Sequence, residues 1–325
     1  MTRHRHFMLL TLLTLSSVNL AEAEPKNTVR ITPLGSHPGE FCSRDRALIL
    51  EDPNGTRILY DAGRTVAGAD DSRLGKIDIV LVSHVHGDHM GNQHIAKTGA
   101  GSCAQPETPI NDAPLSNSVK IAVAKQALMI TGSEMARMFA ARMKAAGGRP
   151  EDSQLVRFGA MKHVKGIGIT TVPAVHSNGL GAEFIGGELG ESMHQAGLTA
   201  YVGPPTGYVI KFSNGLVVYL SGDTGITAEQ QMVVGKHYAA KLTVMNIGDT
   251  YTTGPTEAAY VINQMIKPNA VIASHANEAA TRNGKVLEGT RTRAFIDATH
   301  VPVYLPLSDR TMSFSSTGHC VEGCK

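Results

Sequence analysis

The stretch that decides the fold of this chain is His84-Val85-His86-Gly87-Asp88-His89. It follows Ile79-Val80-Leu81-Val82, an apolar run that is too short and too rich in β-branched residues for a helix. The run predicts a buried strand that ends at Ser83, so His84 opens a loop at the carboxyl end of a strand. In layered α/β folds such strand ends deliver side chains into a shared crevice.

Three histidines and one aspartate within six residues predict a metal site. His84 and His86 are two residues apart, so in an extended segment both point to the same side. Gly87 permits a turn, after which Asp88 and His89 can face a neighbouring point. Neutral imidazoles and a carboxylate suit zinc, iron or manganese. The alternative is a surface run of polar residues without a metal, and a chance match to this four-ligand pattern is rare.

The rest of the chain alternates short apolar runs with helical patterns, which predicts an α/β fold made of two sheet-and-helix halves around an internal sandwich. Asn54-Gly55 and Asn214-Gly215 predict tight hairpin turns. Predicted strands cover residues 29–34, 47–50, 57–60, 79–82, 128–130, 167–175, 208–212, 216–220, 242–247 and 270–274. Predicted helices cover residues 135–146, with Met135, Met138, Phe139 and Met143 as core residues, and 256–266.

Two long stretches are predicted to be irregular loops: 91–119, which shows no hydrophobic period, and 177–205, which is rich in glycine. Together with the loop through His37 and Cys42, they are the predicted walls of the substrate site. His94 and His194 lie in these stretches, and ordinary loop residues are the better interpretation of all three histidines, because no spacing ties them to the metal site.

The amino terminus has the three regions of a secretory signal peptide. A basic segment with Arg3 and Arg5 precedes an uncharged apolar stretch, and Ala21-Glu22-Ala23 has the small-x-small pattern of a cleavage site. We therefore expect residues 1–23 to be a signal peptide and 24–325 to be the mature domain, in the periplasm or outside the cell. A membrane anchor is disfavoured because the apolar run is shorter than the roughly 20 residues that span a bilayer.

The charge balance limits the class of substrate, and the cysteines indicate which disulfides could form. The chain has 30 basic and 28 acidic residues without a basic run, which argues against nucleic acid as a substrate. With the signal segment removed, no membrane association is expected. In an exported protein the four cysteines can form disulfides. Cys320 and Cys324 are close enough to bridge each other, which would leave Cys42 for Cys103, but the sequence does not choose among the three pairings or exclude free thiols.

The motif H-x-H-x-D-H resembles the signature of the metallo-β-lactamase superfamily, and later segments follow the order of that family. They are Asp61-Ala62-Gly63, Val172-Pro173-Ala174-Val175-His176-Ser177, Ser221-Gly222-Asp223-Thr224 and Ala273-Ser274-His275. The resemblance implies a four-layer αββα sandwich and two divalent metal ions, zinc first, with manganese or iron as alternatives. It implies one ion on His84, His86 and His176, a second on Asp88, His89 and His275, and Asp223 as a bridge. Asp61 would orient ligands through hydrogen bonds.

Within that superfamily, three segments look most like metal-dependent hydrolases related to ascorbate-phosphate lactonase. They are Ile247-Gly248-Asp249, the run from Thr253 to Ala259, and the Gly207-Tyr208-Val209-Ile210 hairpin. The chain departs from that subgroup in its signal segment and in the 91–119 insertion. Asp249 could support a ligand or cap the helix ahead of Thr256.

The resemblance implies hydrolysis by a metal-bridging hydroxide, with Asp88 and Asp223 as the candidate catalytic residues. The preferred substrate is an ester or lactone bond in a small molecule. A β-lactam is the first alternative; export favours it, but typical secreted β-lactamases carry a cysteine among the ligands. A ribonuclease comes third, and a metal-binding protein with little turnover stays open as a different class. No G-x-S-x-G motif supports a serine nucleophile.

Overall fold

The computed structural model describes residues 27–324, so the predicted signal segment 1–23 lies outside the described residues. The strands, in chain order, are β1 Val29–Pro33, β2 Leu48–Glu51, β3 Arg57–Tyr60, β4 Ile79–Leu81, β5 Gln93–His94, β6 Ile110–Asn111, β7 Leu128–Thr131, β8 Ser153–Leu155, β9 Met161–Val164, β10 Ile167–Pro173, β11 Gly179–Leu180, β12 Ala200–Tyr201, β13 Thr206–Lys211, β14 Val217–Leu220, β15 Leu242–Asn246, β16 Ala270–Ser274, β17 Thr281–Arg282, β18 Lys285–Val286, β19 Val303–Tyr304, β20 Met312–Phe314 and β21 Cys320–Glu322.

The helices lie between these strands. The α-helices are α1 Gly87–Met90, α2 Asn117–Lys125, α3 Met135–Ala145, α4 Gly187–Gln195, α5 Pro255–Tyr260 and α6 Arg291–Ala298. Wider π-helical turns cover Gln230–His237 and Val261–Ile266, and short 3₁₀ turns cover Pro150–Asp152 and Ala182–Phe184. The predicted helix over 256–266 is therefore α5 continued by π-helical turns.

Two large sheets contain most of the strands. The first has the order β21-β20-β1-β2-β3-β4-β7-β8, and the second has the order β19-β16-β15-β14-β13-β10-β9. In both sheets the pairing changes from antiparallel to parallel: β3 runs parallel to β4, and β14 runs parallel to β15. The two halves therefore share one construction, an antiparallel region followed by parallel strands, which agrees with the two sheet-and-helix halves that the sequence predicts.

Alternating side chains divide the core into three layers of contact. Leu48 and Leu50 of β2 pack between the two sheets, whereas Ile49 packs on the outer face of the first sheet against α2 and α3. On the outer face of the second sheet, Val271 packs with residues of α5 and α6. Each buried aliphatic side chain of this kind stabilises the fold by about 1.5–3 kcal/mol. The order helix, sheet, sheet, helix is the predicted four-layer αββα sandwich.

The segment 91–119 contains regular structure that the sequence analysis did not predict. It contains the antiparallel pair β5 and β6. Helix α2 begins near the end of the segment, where the Ser116 hydroxyl accepts a hydrogen bond from the Val119 backbone N–H at 3.3 Å. Likewise, 177–205 is not one irregular loop, because it contains α4 and the β11–β12 pair. The strands in these segments have two residues each and the two helices have nine, which is too short to show a clear period in the sequence.

Two disulfides close separate parts of the described chain. Cys42 is bonded to Cys103, and Cys320 is bonded to Cys324. The structure thus selects one of the three pairings that the sequence left open.

No helix within residues 27–324 combines the length and apolar character needed to span a bilayer.

Asp78 joins three parts of the fold just before β4. Its Oδ2 accepts a hydrogen bond from the Arg57 backbone N–H at 3.0 Å, and its Oδ1 lies 2.9 Å from Lys76 Nζ and also contacts Lys165 Nζ. Burial alone would raise the pKa of Asp78, but the hydrogen bonds from Lys165, Lys76 and Arg57 outweigh burial and lower the pKa to about 2. This carboxylate therefore stabilises the folded state above the ordinary pKa of an aspartate, and the contribution is lost as the pH falls through about 2.

We predict that Asp78→Asn lowers the free energy of unfolding at pH 7 by about 1 to 2 kcal/mol, after discounting for the exposure of the two lysines. The difference between variant and wild type should shrink as the pH falls from 4 toward 2, because the wild-type carboxylate then takes up a proton. Urea unfolding at several pH values measures both effects, with Asp297→Asn on the exposed face of α6 as the control. A difference that does not change with pH would contradict the ion pairs as its cause.

Candidate metal centre

Strand ends bring the predicted ligands together at one edge of the sandwich. His84 follows β4, and α1 carries Asp88 and His89 directly after it. In the second sheet, β10 and β14 run in the same direction because both are antiparallel to β13, and β16 is parallel to β14 through β15. The carboxyl ends of these three strands therefore meet at one edge, where they are followed by His176, Asp223 and His275 respectively.

The ligand atoms of these residues form three overlapping groups, and within each group they lie within 4.8 Å of one another. The groups are His84, His86 and His176; His84, His89 and Asp223; and Asp88, His89 and His275. The first and third groups are the two triads that the resemblance implies. All seven predicted ligands are thus brought to one cluster.

Asp223 lies between the two triads. Its Oδ2 is 3.9 Å from His84 Nε2 and 3.8 Å from His176 Nε2, both in the first triad. The same oxygen is 3.2 Å from His89 Nε2 and 2.9 Å from His275 Nε2, both in the second. One carboxylate oxygen is therefore within reach of both triads.

A buried network under the cluster fixes the orientation of His89. Asp61 accepts hydrogen bonds from the Ser83 backbone N–H at 2.8 Å and the Ser83 hydroxyl at 2.7 Å. His89 Nδ1 lies 2.8 Å from the Asp61 carboxylate, so it carries the proton and donates to Asp61, which directs Nε2 into the cluster. Asp61 thus has the orienting contacts that the sequence analysis assigned to it.

Close backbone packing holds the His-rich loop against this network. The Gly63 backbone N–H donates to the His89 carbonyl at 3.0 Å, and Gly63 has a φ of +51°. A Cβ at this position would be 2.4 Å from the Asp88 carbonyl oxygen, which is a clash with backbone. Asp61 and His275 also have positive φ, at 43° and 52°. Such conformations cost on the order of 1–3 kcal/mol each in non-glycine residues and are concentrated at functional sites.

Burial keeps three of the histidines neutral. It lowers the pKa of His84 well below its ordinary value, and the neighbouring His89 lowers it further. Burial also lowers the pKa of His86, with an added effect from His176, and lowers the pKa of His176. Neutral imidazole is the form that binds a metal ion.

The two carboxylates of the cluster, unlike these three histidines, are charged, and their negative charge favours a positive charge nearby. Burial alone would raise the pKa values of Asp88 and Asp223, but His89 and His275 outweigh it and hold both values well below the ordinary range. Burial alone would lower the pKa of His89, but Asp223, Asp88 and Asp61 raise it well above its ordinary value. The protein thus stabilises a proton on His89 where a cation bound to the cluster would supply the same charge.

Several buried polar atoms of the cluster lack hydrogen-bond partners within the described residues. They are His84 Nε2, His89 Nε2, Asp223 Oδ1 and both ring nitrogens of His275. His275 Nε2 is close to the Asp223 carboxylate, but the two groups are not aligned as a hydrogen bond. Unpaired buried polar atoms are costly, at about 1–3 kcal/mol each. Atoms that converge on a common region without bonding to one another fit a site for metal ions.

The cluster lies in the wall of a pocket of about 930 Å³. The pocket is lined by Ser43, Arg44, Arg46, Arg64, His86, Asp88, Ala104, Gln105, His176, Ser177, Asp223, Gly248, Asp249, Thr250, Tyr251, His275, Asn277 and Arg291. Parts of the predicted wall loops line the pocket, namely residues after Cys42, two residues of the 91–119 segment, and Ser177. The sequence analysis did not predict that four arginines line the pocket, because they are scattered along the sequence and form no basic run.

The three histidines proposed for the wall loops do not line this pocket. His94, for example, is buried, and its Nε2 lies 3.4 Å from Asp112 Oδ2. Asp249 does line the pocket, with its side-chain oxygen accepting from the Thr250 backbone N–H at 2.7 Å. It does not cap α5, because Gly254 is the residue at that cap.

Comparisons with known proteins agree with this geometry. A family model described as the Beta-lactamase superfamily domain matches residues 56–276, which include all seven clustered residues. A UPF0173 metal-dependent hydrolase of Pelotomaculum thermopropionicum is 30% identical over 249 residues, covering 77% of this chain and 85% of that protein.

Two solved structures share the fold. Igni18, a metallo hydrolase from the archaeon Ignicoccus hospitalis, has a TM-score of 0.58 at 20% identity, with 89% of this chain and 99% of that chain covered. The metallo-beta-lactamase fold protein YhfI from Bacillus subtilis has a TM-score of 0.54 at 10% identity, with 88% and 99% covered. The chain therefore belongs to the β-lactamase superfamily, has the metallo-β-lactamase fold, and is a metal-dependent hydrolase.

Proposed function

We propose that the cluster holds two divalent metal ions, zinc first with manganese or iron as alternatives, and that the protein hydrolyses an ester or lactone bond of a small molecule. The observation that carries this proposal is the position of Asp223 Oδ2, within 3.9 Å of histidines from both triads. A carboxylate in that position can bind two ions at once.

The residues divide into two ligand sets. His84, His86 and His176 would hold one ion, and Asp88, His89 and His275 would hold the other, with Asp223 shared. When bound, two such ions activate a water molecule and polarise the bond to be cut. Five imidazoles and two carboxylates form a mixed nitrogen and oxygen donor set, which suits zinc and the related transition metals.

Asp88 and Asp223 have different access to a substrate. The side chain of Asp88 is 28% exposed and faces the pocket, whereas that of Asp223 is 4% exposed. Arg46 Nη2 lies 3.3 Å from Asp88 Oδ2 and fixes this carboxylate from the side. Both carboxylates are ionised, so each can orient a water molecule and accept its proton, and Asp223 can pass a proton to the leaving group.

The size of the pocket supports a small-molecule substrate. A volume of about 930 Å³ is in the upper range of pockets that bury ligands of drug size. Hydrolysis of a β-lactam uses the same machinery, as does hydrolysis of a phosphodiester, so these bonds belong in the same assay.

We also propose that the protein is exported. The signal-like segment at 1–23 supports this, and so do the two disulfides of the described chain, because disulfides persist mainly in oxidising compartments.

Our first prediction for this proposal concerns metal content and activity together. Wild-type protein should contain two metal ions per chain by elemental analysis, Asp223→Ala should lose both, and His86→Ala should lose one. Hydrolysis of a lactone should exceed that of a β-lactam and a phosphodiester, and should disappear in both variants. A wild-type protein that binds no metal would overturn the proposal, and bound metal without turnover would favour a binding protein.

A second prediction concerns Asp61, which orients His89 without lying among the proposed ligands. Asp61→Asn keeps the size of the side chain but weakens the acceptor for His89 Nδ1, so metal affinity should fall by about 10- to 100-fold. Competition with a chelator measures the affinity, and Asp297→Asn serves as the matched control. Unchanged affinity in a folded Asp61→Asn protein would contradict the orienting role.

A third prediction tests export. When the full chain is produced in a bacterium, mass spectrometry of the protein from the periplasm or medium should find an amino terminus at Glu24, with all four cysteines resistant to alkylation until they are reduced. Intact protein beginning at Met1 and confined to the cytoplasm would contradict the proposal.

A further inference from the structure

One wall of the pocket carries three positive charges from two separate segments. Arg44 and Arg46 lie on the loop between β1 and β2, and Arg64 follows the Asp61-Ala62-Gly63 turn. The three guanidinium groups are close enough to affect one another. Burial lowers the pKa of Arg64, and the charges of Arg44 and Arg46 lower it further, whereas the Asp88 carboxylate acts in the opposite direction. Arginine nevertheless stays protonated at neutral pH. The protein therefore concentrates like charges beside the metal centre.

Arg46 has its contacts within the protein. Its guanidinium donates to Asp88 Oδ2 at 3.3 Å, to Asn277 Oδ1 at 2.6 Å, and to the backbone carbonyls of Ser43 and Asp45. The side chain is 5% exposed, so these contacts offset the burial of its charge. Arg46 is thus a fixed part of the wall.

Arg44 and Arg64 are different. Within residues 27–324, neither has a carboxylate oxygen within 4.0 Å of its guanidinium. The Nε of Arg64 is buried and has no hydrogen-bond partner in the same residues. Arg291 also lines the pocket, but its Nη1 lies 3.7 Å from Glu278, which partly compensates it. Within residues 27–324, these two guanidinium groups therefore have no carboxylate at ion-pair distance.

The loop that carries Arg44 is held rigidly. The buried carboxylate of Asp45 accepts hydrogen bonds from the backbone N–H groups of Ser36 at 2.9 Å and Cys42 at 2.8 Å. The Cys42–Cys103 disulfide ties the loop to the 91–119 segment, and the Ser43 hydroxyl donates to the Ala104 carbonyl at 2.7 Å. A site that is already ordered loses little entropy when a ligand binds.

We propose that Arg44 and Arg64 form a subsite for an anionic group of the substrate, either a carboxylate or a phosphate. Guanidinium groups match the geometry of both anions and bind them through paired charge-assisted hydrogen bonds. The subsite lies in the same pocket as Asp88, so an anion held there positions the rest of the molecule at the metal centre. The identity of the bond that is cut rests on the proposed function, whereas the binding of an anion does not.

The first test measures binding without catalysis. Inorganic phosphate and acetate are titrated by calorimetry into the protein as purified with its metal, for wild type, Arg44→Gln and Arg64→Gln. We expect the dissociation constant of one of the two anions to rise by about tenfold in each variant, with metal content unchanged. The matched control is Arg149→Gln, because Arg149 is a surface residue outside the pocket that pairs with Glu151. The anion that responds more strongly identifies the group.

The second test uses the reaction. Three lactones that differ only in a carboxylate, a phosphate or a neutral substituent are compared. In Arg64→Gln we expect KM to rise by about tenfold for one anionic lactone and to stay within about twofold for the neutral one. Arg64→Lys, which keeps the charge, should recover part of the loss.

The outcomes separate the two proposals. If phosphate and acetate bind equally to wild type and to both arginine variants, the anion subsite is wrong, even when lactone hydrolysis is observed. If no lactone or ester is cleaved but anion binding depends on Arg44 and Arg64, the subsite stands and the proposed reaction fails.

Discussion

Two carboxylates, Asp88 and Asp223, are held ionised among five histidines at the edge of the sandwich, and their charge has to be balanced there. Leaving a carboxylate buried without a partner would cost several kcal/mol. The protein balances the charge partly with Arg46 and with a proton on His89, and it leaves ring nitrogens of His84, His89 and His275 unpaired. Divalent ions bound to these nitrogens would take the place of the proton on His89 and balance the carboxylates.

The sandwich divides the residues of this cluster between its two sheets. His84 and its loop extend from the first sheet, while His176, Asp223 and His275 extend from the second. Each of these residues follows a strand whose side chains are packed in the core, so the strand fixes the position of the side chain at its end. At Asp61 and His275 the surrounding packing holds the backbone at positive φ.

The loops around this rigid edge determine what can bind. The loop between β1 and β2 contributes Arg44 and Arg46, and the Cys42–Cys103 disulfide links it to Ala104 and Gln105 on the opposite segment. The candidate ligands therefore come from the ends of the strands and the segments that follow them, whereas the charge and shape of the pocket come from segments outside the sheets. Arg44 and Arg64, which have no carboxylate at ion-pair distance within the described residues, are the feature of these segments that bears most directly on the choice of substrate.

Through a family resemblance, the sequence indicated His176, Asp223 and His275 as members of the cluster. By itself it determined the central strands of both sheets and the four candidate ligands between His84 and His89. Those features are local: a strand shows a period of two, and ligands with close spacing are visible as a motif. It did not show α2 or α4, because a helix of nine residues has too few turns for a clear period. Only the tertiary structure selected the Cys42–Cys103 pairing and gathered Arg44, Arg46, Arg64 and Arg291 in one pocket. The reason is that these contacts join residues far apart in the chain, and their distances are set by how the two sheets and their loops pack.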